Sequence, residues 1–251
     1  MTPPTQVTCH LTSISSTFSG RNTSYIYEYS NDGLLTGIKK YSGNSLELSE
    51  IIGGYSRQSS YNSQSTGYPM VQTIVFEGSI VSGQLPSKAS VALQEGLVTH
   101  TDVYTYFFYY DSKNRLNKVS EETKNVVGDS EYDLFIYYND QDNVTGIKST
   151  WRTGPNTSSS VVVSGYDNKP SPYSGLRAWK YLVYWDNSDP TALFAQLSKN
   201  NPLGFIFGDW TNEMTYTYNE HGYPLIRNNI QTVKNSVDTA RWVETFNYQC
   251  P

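Results

Sequence analysis

One hairpin pattern recurs in this chain and limits what it can fold into. An aromatic residue (once Ile) is followed by any residue, Tyr, a polar turn, and two apolar positions three residues apart. The first copy is Tyr27-Glu28-Tyr29-Ser30-Asn31-Asp32-Gly33-Leu34-Leu35-Thr36-Gly37-Ile38. The second is Phe108-Tyr109-Tyr110-Asp111-Ser112-Lys113-Asn114-Arg115-Leu116-Asn117-Lys118-Val119. The third is Ile136-Tyr137-Tyr138-Asn139-Asp140-Gln141-Asp142-Asn143-Val144-Thr145-Gly146-Ile147. The fourth is Tyr216-Thr217-Tyr218-Asn219-Glu220-His221-Gly222-Tyr223-Pro224-Leu225-Ile226-Arg227. Alternating aromatics make one strand of a β-hairpin. Gly and Asn in the turn accept positive φ where the chain reverses. The apolar residues beyond begin the return strand. The first and third copies start 109 residues apart and the second and fourth 108 apart. Two similar halves and chance spacing both fit that near-equality.

Composition supports the same fold class. The 251 residues include 22 Tyr and only 6 Ala, which suits pleated sheet and excludes a helical bundle or coiled coil. All-β barrels and sandwiches reach this length as one domain. Further strand-like runs lie at 70–80, 88–93, 97–110, 179–185 and 241–248, giving roughly 12–16 short strands, as strands usually are. Three Ser/Thr-rich stretches, 12–19, 56–65 and 153–160, read as loops or mobile strand ends. One short helix is expected near 190–198, with Asp189 as N-cap, Pro190 at the first helical position, and Leu193, Phe194 and Leu197 as its apolar side. The expected architecture is all-β and antiparallel, a hairpin-built barrel or strongly curved sheet, with residues 1–8 as a tether and 9–251 as a single domain.

The net charge of −5 comes with no basic block, so a nucleic-acid surface is not expected. No apolar run approaches the roughly 18 residues of a membrane-spanning helix. The opening Met1-Thr2-Pro3-Pro4-Thr5 lacks a signal-peptide pattern. It reads either as a cytosolic start or, preferably, as the tether of a processed exported chain. Cys9 stands at the start of the first strand-like segment and Cys250 is the penultimate residue. In a sheet that closes, those ends become neighbours and a Cys9–Cys250 disulfide would fasten them. Two unpaired thiols are the alternative, because geometry decides. A disulfide would imply an oxidising compartment.

The aromatic-x-Tyr-Asp/Asn-x-x-Gly/Asn-x-Leu unit resembles the YD repeat of bacterial surface proteins. Together with Tyr166-Asp167-Asn168-Lys169-Pro170-Ser171-Pro172-Tyr173 and Ser198-Lys199-Asn200-Asn201-Pro202, it resembles secreted lipoproteins of Bacteroidota that carry a domain of unknown function. The resemblance implies a porin-like, partly open β-barrel, export to the outer membrane surface or periplasm, and a lipid anchor in the precursor. It implies no activity and no catalytic residue. The chain departs from that pattern in lacking a lipobox cysteine, since Cys9 does not follow an apolar stretch. A spanning pore is disfavoured, because its strands alternate apolar residues outward and these alternate aromatics with Thr, Glu or Ser.

No chemical signature stands out. The three histidines, His10, His100 and His221, are far apart in sequence and read as isolated strand or turn residues, so neither metal nor cofactor is expected. Asp140 and Asp142 are weak calcium candidates, with oxygens at alternate positions. Turn chemistry explains them equally. No phosphate loop, zinc-protease helix or nucleophile elbow occurs. If a ligand binds, Trp179, Trp185 and Trp210 are the candidates for stacking against it. The expected role is a non-catalytic binding or adhesion module for a glycan or protein, meeting membrane only through its anchor. The alternatives are a carrier of a lipid or apolar ligand inside the barrel and a carbohydrate-active enzyme.

Overall fold

The computed structural model describes residues 8–53, 56–62, 69–77, 85–95, 98–99, 103–124, 130–153, 158–173, 194 and 196–251. Among the described residues seventeen strands follow one another: β1 (His10–Phe18), β2 (Arg21–Tyr29), β3 (Leu35–Ser42), β4 (Ser45–Ile52), β5 (Ser56–Asn62), β6 (Pro69–Glu77), β7 (Lys88–Glu95), β8 (Val98–Thr99), β9 (Val103–Tyr110), β10 (Leu116–Lys124), β11 (Ser130–Tyr138), β12 (Val144–Trp151), β13 (Ser158–Pro170), β14 (Asn200–Phe207), β15 (Trp210–Tyr218), β16 (Pro224–Val233) and β17 (Thr239–Gln249). Every pairing is antiparallel, and nearly all join sequence neighbours. The two-residue β8 bonds β7 alone, so β7 pairs directly with β9. β1 bonds both β2 and β17, with His10 opposite Gln249. The pairing therefore returns to its start, and all strands but β8 form one ring. A ring leaves no open edge for another chain to pair with.

The recurring motif builds each of its hairpins in one way. In the four turns a backbone N–H at the strand end bonds the carbonyl four residues on: Ser30 to Leu34, Asp111 to Arg115, Asn139 to Asn143 and Asn219 to Tyr223. The fourth turn residue adopts positive φ, as Gly33, Asn114, Asp142 and Gly222. The first turn side chain accepts backbone N–H groups: Asp111 Oδ1 from Lys113 and Arg115, Asn139 Oδ1 from Gln141 and Asn143, Asn219 Oδ1 from His221 and Tyr223. In all four copies the motif tyrosine ends its strand at the same bulge, with Thr36, Asn117, Thr145 and Leu225 as the extra residue on the return strand.

In three copies the motif tyrosine also laces neighbouring strands together. Tyr29 donates its hydroxyl to Leu11 O, Tyr110 to Pro86 O and Tyr138 to Leu116 O, at 2.7, 2.7 and 2.9 Å. Tyr166 and Tyr216 repeat the move toward Val144 O and Pro202 O. In the fourth copy Tyr218 donates to Asp167 instead. Tyr138→Phe, which removes one lace without changing shape, is expected to cost about 1 kcal/mol, read as a lower urea midpoint at unchanged m.

Strand alternation sends one set of side chains inward. Tyr27, Ile38, Ile74, Phe76, Phe108, Val119, Leu134, Ile136, Ile147, Phe205, Met214 and Phe246 form the buried core. The outer face is polar and ion-paired: Lys39 with Glu28, Lys88 with Glu77, and Lys118 and Arg152 with Asp133. Exposed apolar residues, Ile51, Val75 and Val162 among them, share that face, and polar Asn212, Arg227 and Asn229 are buried on the lumen side beside the apolar core.

The described ends of the β13–β14 connection, residues 171–173, 194 and 196–199, pack into the core. They bury Ser171, Pro172 and Tyr173 on one side and Phe194, Gln196 and Leu197 on the other. The Phe194 ring packs 5.7 Å from that of Phe205. Of the segment 190–198, where a helix is expected, Phe194 and residues 196–198 are described. Phe194, Gln196 and Leu197 are helical, and Ser198 N donates to Phe194 O at 3.0 Å. The run at 179–185 lies outside the described residues.

Two expectations need correction. Of the Ser/Thr-rich stretches expected as loops or mobile strand ends, the described residues 12–18, 56–62 and 158–160 lie in the strands β1, β5 and β13, and 63–65 and 154–157 lie outside the described residues. Ladder bonds to both neighbours hold such residues extended whatever their own preference, and one face of the barrel is wet, so polar side chains are tolerated there. The run at 97–110 divides into β8 and β9. Gly204 in β14 answers to a close approach, since an added Cβ would lie 2.5 Å from Asn212 O. Gly204→Ala is expected to cost about 1–3 kcal/mol through displaced backbone, measurable by chemical denaturation.

Candidate functional site

A cleft of about 360 Å³ opens at the end of the barrel where the motif turns gather. It lies between the β9–β10 turn, the β11–β12 turn and the end of the β13–β14 connection, lined by residues that include Tyr110, Lys113, Arg115, Tyr138, Asp142, Gln196 and Lys199.

Arg115 organises it. Its Nε and Nη2 each lie 2.7 Å from Asp111 Oδ2, and its Nη1 reaches Asp142 Oδ1 at 2.8 Å and Asn139 O at 3.1 Å. The guanidinium lies 4.5 Å from the centre of the Tyr138 ring, a cation–π contact. Neighbouring turns are thereby joined by one side chain. The hydrogen bond from Arg115 to Asp111, ahead of the desolvation that opposes it, raises the Arg115 pKa. Desolvation raises that of Asp111, but the Arg115 backbone and guanidinium and the Lys113 backbone outweigh it and hold the carboxyl below its usual range. A depressed carboxyl contributes stability above its unfolded pKa near 4 and loses it as pH falls through the folded value. Asp111→Asn is therefore expected to flatten the loss of thermal stability below about pH 4, read from melting curves at stepped pH.

The remaining lining is less fully used. Lys113 Nζ is 3.7 Å from Asp142 Oδ1. Lys199 has no carboxylate within ion-pair distance among the described residues. Gln196 Oε1 is buried and has no hydrogen-bond partner among the described residues, an acceptor left unpaired. Ser198 is engaged: its Oγ accepts from Val144 N at 3.0 Å and donates to Tyr166 OH at 2.9 Å.

The sequence-level candidates are scattered. Trp179 and Trp185 lie outside the described residues. Trp210 begins β15 at the far end of the barrel from the cleft, directly opposite Phe207 and Val233, and is 43% exposed. The register puts these residues, with Trp242 and Phe18, on the lumen face, and the Phe18 and Trp242 rings meet edge to face at 5.6 Å. Asp140 is exposed in its turn. Asp142 faces Arg115 and Lys113, so its charge is answered by cations of the chain itself. Cys9 and Cys250 are joined by a disulfide between the end residues of the ring. His221, read from sequence as isolated, lies beside that disulfide.

Sequence reasoning did not nominate Arg115, Lys113, Gln196 or Lys199 for a site. Nothing along the chain links position 115 to 142 and 196. The one available signal was that Lys113 and Arg115 sit in a motif turn otherwise made of Asp, Ser and Asn.

No family model matches this chain, and no curated protein does. The lipoprotein and YD-repeat likenesses accordingly rest on the motif residues alone. Two solved structures are similar. One is a porin-like protein from Bacteroides uniformis, with 12% identity, a TM-score of 0.61, and cover of 98% of this chain and 99% of that one. The other is a porin-like protein from Bacteroides vulgatus, with 11% identity, a TM-score of 0.46, and cover of 96% and 99%. At that identity the likeness to the Bacteroides uniformis protein is one of fold: this chain folds as a porin-like β-barrel.

Proposed function

We propose that this chain is a non-catalytic binding protein of the cell envelope that takes an acidic glycan in the cleft beside Arg115. The lining of that cleft carries the reading. Among the described residues Lys199 has no carboxylate partner, Lys113 is weakly paired, Tyr110 and Tyr138 supply ring faces, and the buried Gln196 Oε1 has no donor. A sugar acid brings a carboxylate for the lysines, C–H faces for the rings and hydroxyl donors for the amide. The mixed lining is a poorer match for the apolar molecule that a carrier would hold. The carboxylates nearest the cleft, Asp111 and Asp142, are both bound by Arg115, which leaves neither as a proton donor for sugar hydrolysis.

Envelope location is part of the proposal, with a lipid anchor in the precursor and the barrel standing in water at the outer membrane surface or in the periplasm. The Cys9–Cys250 disulfide supports an oxidising compartment. The polar, ion-paired outer wall suits a barrel surrounded by water, not one embedded in lipid.

An array of neutral and acidic glycans probed with the purified protein tests the ligand. Retention of uronate-bearing glycans without turnover is expected. Lys113→Ala with Lys199→Ala should weaken that binding about 10- to 100-fold, the value of one or two charged hydrogen bonds, at unchanged melting temperature. Cleavage of the glycan, or retention indifferent to both lysines, would sink the reading. Fractionation of the source cells tests location, and recovery in the cytosol alone refutes export.

A further inference from the structure

The hairpin turn that carries His221 reaches the two ends of the ring. One ligand atom each from Cys9, Cys250 and His221 lies within 4.8 Å of the other two. The site is accessible, since His221 and Cys250 are half-buried while Cys9 is buried. It is also well supported. Cys9 and Cys250 flank the β1–β17 ladder next to the His10–Gln249 pair. His221 N donates to Asn219 Oδ1 at 3.0 Å, and Gly222 N to Asn219 O at 3.0 Å, which fixes the turn.

Two sulfurs and one imidazole make a soft, three-ligand set of the kind that binds Zn²⁺ with water in the fourth position. While the disulfide stands, the sulfurs are not thiolates and the set is closed to metal. We propose that reduction of the disulfide converts this staple into a Zn²⁺ site, formed by Cys9, Cys250 and His221, that fastens β1 to β17 in its place. The reductant is a dithiol. It transfers two electrons and two protons to the disulfide, giving two protein thiols, and becomes a cyclic disulfide itself. Zn²⁺ then binds both sulfurs as thiolates and displaces their two protons to solvent. Neutral imidazole is the third ligand. The chain thus carries two alternative clasps at one seam, selected by the redox state of its surroundings.

The test uses the full chain, disulfide-bonded or reduced with a non-chelating phosphine and freed of oxygen, with Co²⁺ as a spectroscopic probe and Zn²⁺ as competitor. The reduced protein is expected to bind one Co²⁺ with thiolate charge-transfer absorption and intense visible bands of tetrahedral type, bleached by Zn²⁺. The disulfide-bonded protein should show neither. His221→Ala leaves the disulfide and the strands in place, so it folds in the oxidised form, and after reduction it should bind Zn²⁺ ~10-fold or more weakly. Zn²⁺ should also raise the melting temperature of the reduced chain and leave that of the oxidised chain unchanged. Equal binding by both redox forms, indifference to His221→Ala, or a reduced chain that unfolds and is not restored by Zn²⁺ would each overturn the proposal.

Discussion

Replacing Cys9 and Cys250 together by Ser is expected to lower stability by about 4–5 kcal/mol, the upper end for a single disulfide. The reason is the 241-residue separation of the pair in sequence. A cross-link that closes nearly the whole chain removes more freedom from the unfolded ensemble than one closing a short loop. Its place in the fold adds to this. The β1–β17 ladder alone brings the first strand to the last, so it has the largest loop to close during folding. At roughly 2–4 °C per kcal/mol for a chain of this size, the melting temperature should fall by about 10–20 °C. Calorimetry of the variant and of the native protein checks it. A shift of only a degree or two would mean that the barrel is held shut by its ladders and that the disulfide restrains an unfolded state already compact.

The second large effect concerns the one buried ion pair described inside the barrel. Arg227 of β16 is 3% exposed and lies opposite Glu244 of β17, with its Nε bonded to Glu244 Oε2. Asn229 Nδ2 donates to the same oxygen at 3.0 Å. Burial works to lower the Arg227 pKa, but the charge of Glu244 outweighs it and the guanidinium stays ionised. Removing either partner leaves the other buried without its counter-charge. Glu244→Gln is expected to cost about 3–5 kcal/mol, and Arg227→Met a similar amount. The double variant should lie within about 1 kcal/mol of the native protein, because a neutral pair of similar volume escapes the cost of desolvation. Urea unfolding of all four proteins measures the coupling. Single effects that simply add would show that the two side chains do not act as a unit.

Both effects depend on partners that the sequence conceals. Arg227 and Glu244 are 17 residues apart, and each reads alone as a polar residue in a strand. The Cys9–Cys250 pair was foreseen only as a consequence of a sheet that closes, and the sequence left closure open. The hairpins were legible because their determinants are local. An alternating aromatic strand, a residue that accepts turn N–H groups and a Gly, Asn or Asp at positive φ lie within a dozen positions of one another. The cleft was not legible, because Arg115, Asp142 and Gln196 come from three separate stretches.

What the sequence determined by itself was the class of the fold and its repeating unit, since hairpin geometry is settled by side chains adjacent in the chain. The tertiary structure decided the rest. It decided that the described parts of the Ser/Thr-rich stretches are strands, since two flanking ladders outweigh weak local preference. It closed the ring, which no hairpin specifies. Closure brought His221 to the cysteines and two turns to the end of the β13–β14 connection, because the end of a barrel gathers residues that a line of sequence keeps far apart.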